Sequence, residues 1–183
     1  SGALTDNTTG TNNTAVGKRS GYNITTGDDN TAIGQEALYT ATTASDNTAI
    51  GFQALYYNTS GASNVAVGWN ALVNNTTGGT NTGIGYQALT NNTTAAGNTA
   101  VGYNALTANE NTAVGQGAMI ALTSGANNVA MGNYALAAVT TTAGNVAIGR
   151  YSLAATTGSY NTGLGYLTLT ACTTASNNVA VGH

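Results

Sequence analysis

Proline is missing altogether from these 183 residues, and charge, histidine and cysteine are nearly so. The absence of proline suits a backbone whose amides all donate along a sheet, because proline removes a ladder donor. Charged residues make up 5% of the chain: Lys18, Arg19 and Arg150 against Asp6, Asp28, Asp29, Glu36, Asp46 and Glu110. So few cations leave no polybasic footprint, which argues against nucleic acid or an anionic membrane surface as partner. A single cysteine, Cys172, rules out an intrachain disulfide and reads as an unreactive thiol. The one histidine, His183, is the last residue and reads as an exposed polar end. No apolar run approaches the roughly 20 residues that span a bilayer, and no segment reads as a signal peptide.

What the chain does have is repetition. The stretch Asn98-Thr99-Ala100-Val101-Gly102 recurs in near copies from end to end, beginning at Asn13, Asn30, Asn47, Asn64, Asn81, Asn98, Asn111, Asn128, Asn145, Asn161 and Asn178. The fifth residue of every copy is glycine: Gly17, Gly34, Gly51, Gly68, Gly85, Gly102, Gly115, Gly132, Gly149, Gly165 and Gly182. Starts are 17 residues apart, except for steps of 13 after Asn98 and 16 after Asn145. Self-similarity at this period marks a solenoid, in which each unit buries its apolar face against its neighbours. A composition this poor in charge and rich in Thr, Asn, Ser and Gly would also suit disorder, but 42% hydrophobic residues placed at a fixed period point to a packed core. The expectation is one all-β domain over 1–183, a parallel β-solenoid of about eleven rungs with a partial unit at 1–12.

Counting each unit from its Asn, positions 2 to 4 read Thr or Val, then Ala or Gly, then Val, Ile, Leu or Met, a short strand signal bounded by Asn and Gly. Glycine at position 5 suggests a positive φ or a backbone approach too close for a Cβ. Positions 8 and 9 usually read Ala-Leu, as in Ala37-Leu38 and Ala71-Leu72, and suggest a second short strand. A helix there would have to run through the glycine and the Thr-rich segment. Positions 13 to 17 are turn material, such as Thr76-Thr77-Gly78-Gly79-Thr80, and the short unit from Asn98 to Glu110 drops this segment. Rungs about 4.8 Å apart would make eleven of them roughly 50 Å long. In-register stacking would turn position 1 into an amide ladder and positions 4 and 9 into apolar columns. Position 3 is tiny and position 4 bulky, so neither face of the strand suits water, while a single roll can bury only one. The alternation leaves open which face is inside. The other calls for a further chain, so an oligomer is expected.

The units also resemble a known family. Asn81-Thr82-Gly83-Ile84-Gly85-Tyr86-Gln87-Ala88-Leu89 is similar to the arrays of bacteriophage tail-fibre and related surface-fibre proteins, and the Asn-Thr-Ala-Ile-Gly pattern resembles head repeats of trimeric autotransporter adhesins of the YadA type. The resemblance covers essentially the whole chain. It implies a left-handed β-roll, three chains side by side, and an adhesive or spacer segment of an extracellular cell-surface or virion fibre. Partners would then be the chain itself and a host-surface glycan or protein receptor, with no cofactor.

Chemistry-bearing residues are sparse. Asp29, Asp46 and Glu110 occupy position 17 and read as solvated turn carboxylates, although a weak cation site is conceivable. Glycines recur at the unit period and form no phosphate loop. Sequons such as Asn23-Ile24-Thr25 follow from the composition. Paired carboxylates of the kind a glycosidase uses are lacking, so no enzyme is expected. The aromatics stand out. Position 6 holds Phe52, Trp69, Tyr86 and Tyr103 in consecutive units, with Gln53, Asn70, Gln87 and Asn104 beside them. Such a column could be a platform for sugar rings or could stack on itself. Tyr22, Tyr39 and Tyr56 form a shorter series at position 10. An ice-binding solenoid would need a regular face of Thr and Asn, whereas the Thr-rich segments differ in length and identity, and the expectation is against it. Both chain ends cut through a unit, Ala3-Leu4 at positions 8 and 9 and His183 at position 6. That suggests a fragment of a longer array or, as the alternative function, a ligand-free filament stacked head to tail.

Overall fold

A computed structural model describes residues 2–106, 110–171 and 173–183. The chain falls into two compact units, Ser1–Gly97 and Asn98–His183. The boundary coincides with the start of the short repeat. The first unit carries β1 (Thr14–Val16), β2 (Thr31–Ile33), β3 (Thr48–Ile50), β4 (Val65–Val67) and β5 (Thr82–Ile84). The second carries β6 (Thr99–Val101), β7 (Thr112–Val114), β8 (Val129–Met131), β9 (Val146–Ile148), β10 (Thr162–Leu164) and β11 (Val179–Val181). Within each unit consecutive strands pair in parallel and in repeat register: Ala32 lies beside Ala15 and Ala49, and Ala130 beside Ala113 and Ala147. The expected parallel β-solenoid is therefore the fold.

Among the described residues each rung has one strand. The Ala-Leu segment expected as a second strand is a turn, because its leucines have left-handed backbone, with φ of 52° at Leu38 and 53° at Leu55 and Leu72. An extended strand sends neighbouring side chains to opposite faces, yet Ala37 and Leu38 are both fully buried, as are Ala54 and Leu55. Only a non-extended backbone lets two consecutive residues point inward. The segment still bonds rung to rung, through Leu38 N–H to the Ala54 carbonyl (2.9 Å) and Leu55 N–H to that of Ala71 (3.0 Å).

The strand alternation left open by the sequence resolves in one direction. Position 3 faces in: Ala32, Ala49, Ala66, Ala100 and Ala113 are fully buried. Position 4 faces out, with Ile33 at 38% and Ile84 at 38% exposure. Position 4 is thus not a core column, and leucine at position 9 supplies the bulk instead. The alanines inside explain why: the leucine reaches across and occupies the room they leave. A Cβ built on Gly83 would sit 3.3 Å from the Leu72 side chain, which shows position 3 packed against the position 9 leucine of the preceding rung.

The asparagine ladder is present and does more than stack. Asn64 is fully buried. Its Nδ2 donates to Asn47 Oδ1 (3.1 Å) and to the Gly78 carbonyl (2.9 Å), while its Oδ1 accepts from the Asn81 backbone N–H (2.9 Å). One side chain thereby joins three rungs and ties the strand start to the far turn of its own rung. Aspartate could not donate these bonds. The glycine of position 5 satisfies both reasons expected for it: at Gly68 φ is 135°, and a Cβ would meet the Gly85 carbonyl oxygen at 2.4 Å.

Candidate functional site

Position 6 follows the glycine corner and projects outward, leaving Trp69 41% and Tyr86 40% exposed and Phe52 half-buried. In-register stacking brings these three rings into one column. Phe52 and Trp69 have centroids 5.8 Å apart and planes at 14°, and Trp69 and Tyr86 are at 4.9 Å and 5°. The ring faces are therefore turned toward one another along the column. A sugar stacks on a ring face, and along this series the faces between rungs are already covered, so the column displays ring edges. Tyr103 and Asn104 belong to the second unit, where Tyr103 is exposed and Asn104 half-buried.

Beside the rings, Gln53, Asn70 and Gln87 sit at position 7, where φ is 53° to 54°. Gln53 Nε2 donates to Glu36 Oε2 (2.9 Å), and Arg19 pairs with Glu36 at 3.7 Å. This polar column is largely occupied with its own neighbours at its charged end. Asn70 Oδ1 and Asn104 Oδ1 are buried and have no hydrogen-bond partner among the described residues. The second tyrosine series also stacks, Tyr22 on Tyr39 at 5.4 Å and Tyr39 on Tyr56 at 5.0 Å. Burial first, then the Glu36 carboxylate, pushes the Tyr56 phenol above its ordinary range.

Sequence reasoning missed a second internal amide ladder. Asn75 Nδ2 donates to Asn58 Oδ1 (2.9 Å) and Asn92 Nδ2 to Asn75 Oδ1 (2.8 Å), all three side chains being buried. The signal was asparagine at position 12 in three successive units. In other units the same position is aliphatic, as at Ile24, Leu122 and Val139, or a buried threonine, Thr156. Cys172, at the same position, lies outside the described residues.

The position 17 carboxylates do not assemble into a site. Asp29 Oδ1 accepts from Asn12 Nδ2 at 2.9 Å, and among the described residues no group of three His, Cys, Asp or Glu could hold a metal ion. Asp28, one residue earlier, accepts from both the backbone N–H (2.7 Å) and the hydroxyl (2.8 Å) of Thr11, and these two bonds, the backbone one first, lower its pKa.

The largest unexplained surface is the outer face of the strands. All eleven position 4 residues are Val, Ile, Leu or Met, and position 2 holds only Thr or Val. A solvated outer face of a sheet ordinarily alternates to polar residues. Here Val16, Ile33, Ile50 and Ile84 are exposed on the first unit and Met131, Ile148 and Leu164 on the second.

Comparison with protein-family models, curated proteins and solved structures finds no match for this chain.

Proposed function

We propose that the chain is a structural and adhesive segment of an extracellular fibre, on a cell surface or a virion tail, that works as a side-by-side homo-oligomer. One observation carries this reading: the outer face of each unit's strands is apolar at every position 4, and in a single chain it stays open to solvent. Covering such a face with identical faces of further copies removes apolar area from water at roughly 25 cal/mol per Å². A closed symmetric assembly is the usual way a repeated patch is satisfied. Three copies is the number that the repeat resemblance implies. Assembled in this way, each chain would present its aromatic edges and Thr-rich turns outward at the rung spacing, and many weak contacts to a glycan or protein receptor would add by avidity.

The test is sedimentation of the purified chain. A particle of three times 18.1 kDa supports the reading, and Ile33→Lys combined with Ile50→Lys and Ile84→Lys should return it to one chain with unchanged circular dichroism. A parent that sediments as a monomer at all concentrations removes the oligomer. Adhesion is tested on a glycan array, comparing the parent with Trp69→Ala plus Tyr86→Ala; equal binding takes the aromatic column out of the account.

A further inference from the structure

The Thr-rich turns, which in sequence differ from unit to unit, stack into two regular columns in the first unit. Position 13 is Thr25, Thr42, Thr59, Thr76 and Thr93, continued below by Thr8. Position 14 is Thr26, Thr43, Ser60, Thr77 and Thr94, continued by Thr9. Of these twelve side chains eleven are threonine and one is serine, and none is charged. From Asn47 to Gly97 the chain has no charged residue at all.

Folding explains the first column. The Thr25 hydroxyl donates to the Thr42 carbonyl at 2.9 Å, that of Thr59 to the Thr76 carbonyl at 3.0 Å, and that of Thr76 to the Thr93 carbonyl at 2.9 Å. The same carbonyls also take two backbone amides from the rung below: Thr25 N–H and Thr26 N–H both reach the Thr42 carbonyl, at 3.0 and 3.1 Å. Three donors on one oxygen per rung hold both columns at the sheet repeat of about 4.8 Å.

Folding does not explain the second column. Thr9, Thr26, Thr43, Ser60, Thr77 and Thr94 are all exposed, and among the described residues their hydroxyls bond to nothing in the chain. An exposed turn position without a structural duty tolerates any polar residue, so a hydroxyl in every rung calls for another cause. The surface that results is rigid, uncharged and periodic, with a methyl beside almost every hydroxyl. Water held on such hydroxyls and confined by the methyls is ordered at the rung repeat, which is close to an oxygen repeat of hexagonal ice. Because the backbone that carries both columns is already fixed, docking on a lattice loses little entropy, and single weak contacts sum along the column.

We propose that this double threonine column of the first unit binds ice. It departs from the expectation drawn from the sequence, which took unit-to-unit variation in the turns as irregularity of the face. It is independent of the fibre reading, since the apolar strand face has no part in it.

The experiment is nanolitre osmometry on the full chain, with crystal shape recorded. The expected result is a gap between melting and freezing temperature with faceted crystals. Thr26→Lys, Thr43→Lys and Thr77→Lys together should abolish the gap, while circular dichroism and melting temperature stay those of the parent because these hydroxyls make no bond. If the triple variant does not fold, Thr43→Lys alone should reduce the gap several-fold. Unfaceted crystals that melt and freeze at one temperature in the parent overturn the proposal, and so does a folded lysine variant as active as the parent.

Discussion

On the strand side of a rung the residues that point inward are small, Asn64 and Ala66, and the bulkier Val67 is turned outward; across the same rung Ala71 and Leu72 both point inward and the column outside is polar or aromatic. The difference lies in the backbone. Extended residues 65–67 must alternate, whereas left-handed φ at Asn70 and Leu72 (53° at each) breaks the alternation and delivers two consecutive side chains to the interior. Left-handed conformation costs an ordinary residue roughly 1–2 kcal/mol, and the rung accepts it because it places a leucine where the alanines leave space. The regular side of the rung thus supplies hydrogen bonding and an apolar outer face, and the irregular side supplies the core.

That comparison can be broken most severely at the leucine. Leu72→Ala should cost roughly 3–5 kcal/mol in urea unfolding, as for large-to-small changes in a sealed core. Val67→Ala, on the opposite side of the same rung, should cost under about 1 kcal/mol in the isolated chain. Equal costs would mean that the outward column also belongs to the core. Next in size, Asn64→Ala removes the side-chain bonds to Asn47, to the Gly78 carbonyl and from the Asn81 backbone N–H, and leaves Asn75 Nδ2 as the donor to that carbonyl, for a loss of roughly 2–3 kcal/mol by the same measurement.

A smaller effect has the opposite sign. Thr80, β-branched, is held at φ 57° at position 17, where other rungs have Asn12, Asn127 and Asn177. Thr80→Asn should raise stability by up to about 1 kcal/mol, because asparagine tolerates this conformation and a β-branched side chain does not. The smallest effect is in the acid range. The Asp28 pKa is lowered in the folded chain, so its contribution is present above the ordinary carboxylate pKa and is lost as pH falls through the lower folded value. In acid titration followed by circular dichroism, Asp28→Asn should flatten the early part of the profile.

The period, the asparagine ladder and the glycine corner were all legible in the sequence, because each depends on a residue type that nothing else replaces. Which strand face lies inside was not, since alanine and isoleucine are both apolar and only the leucine arriving from the other side decides between them. The left-handed residues were hidden for a different reason. Leucine gives no local sign of positive φ, and the hint lay in the odd rungs where glycine takes the same places, Gly21 at position 9 (φ 54°) and Gly117 at position 7 (φ 64°). For the aromatic column, stacking was legible from the spacing, but its consequence was not: rings set one rung apart cover each other's faces.

The most direct measurement of the small-in, bulky-out arrangement is a methyl-resolved NOE spectrum of the chain with labelled leucine and isoleucine, since contacts in the interior of one chain do not depend on the state of assembly. Cross-peaks should connect the Leu72 methyls to the Gly83 α-protons, with none to the Ile84 methyls. Strong Leu72 to Ile84 cross-peaks in place of those to Gly83 would contradict it.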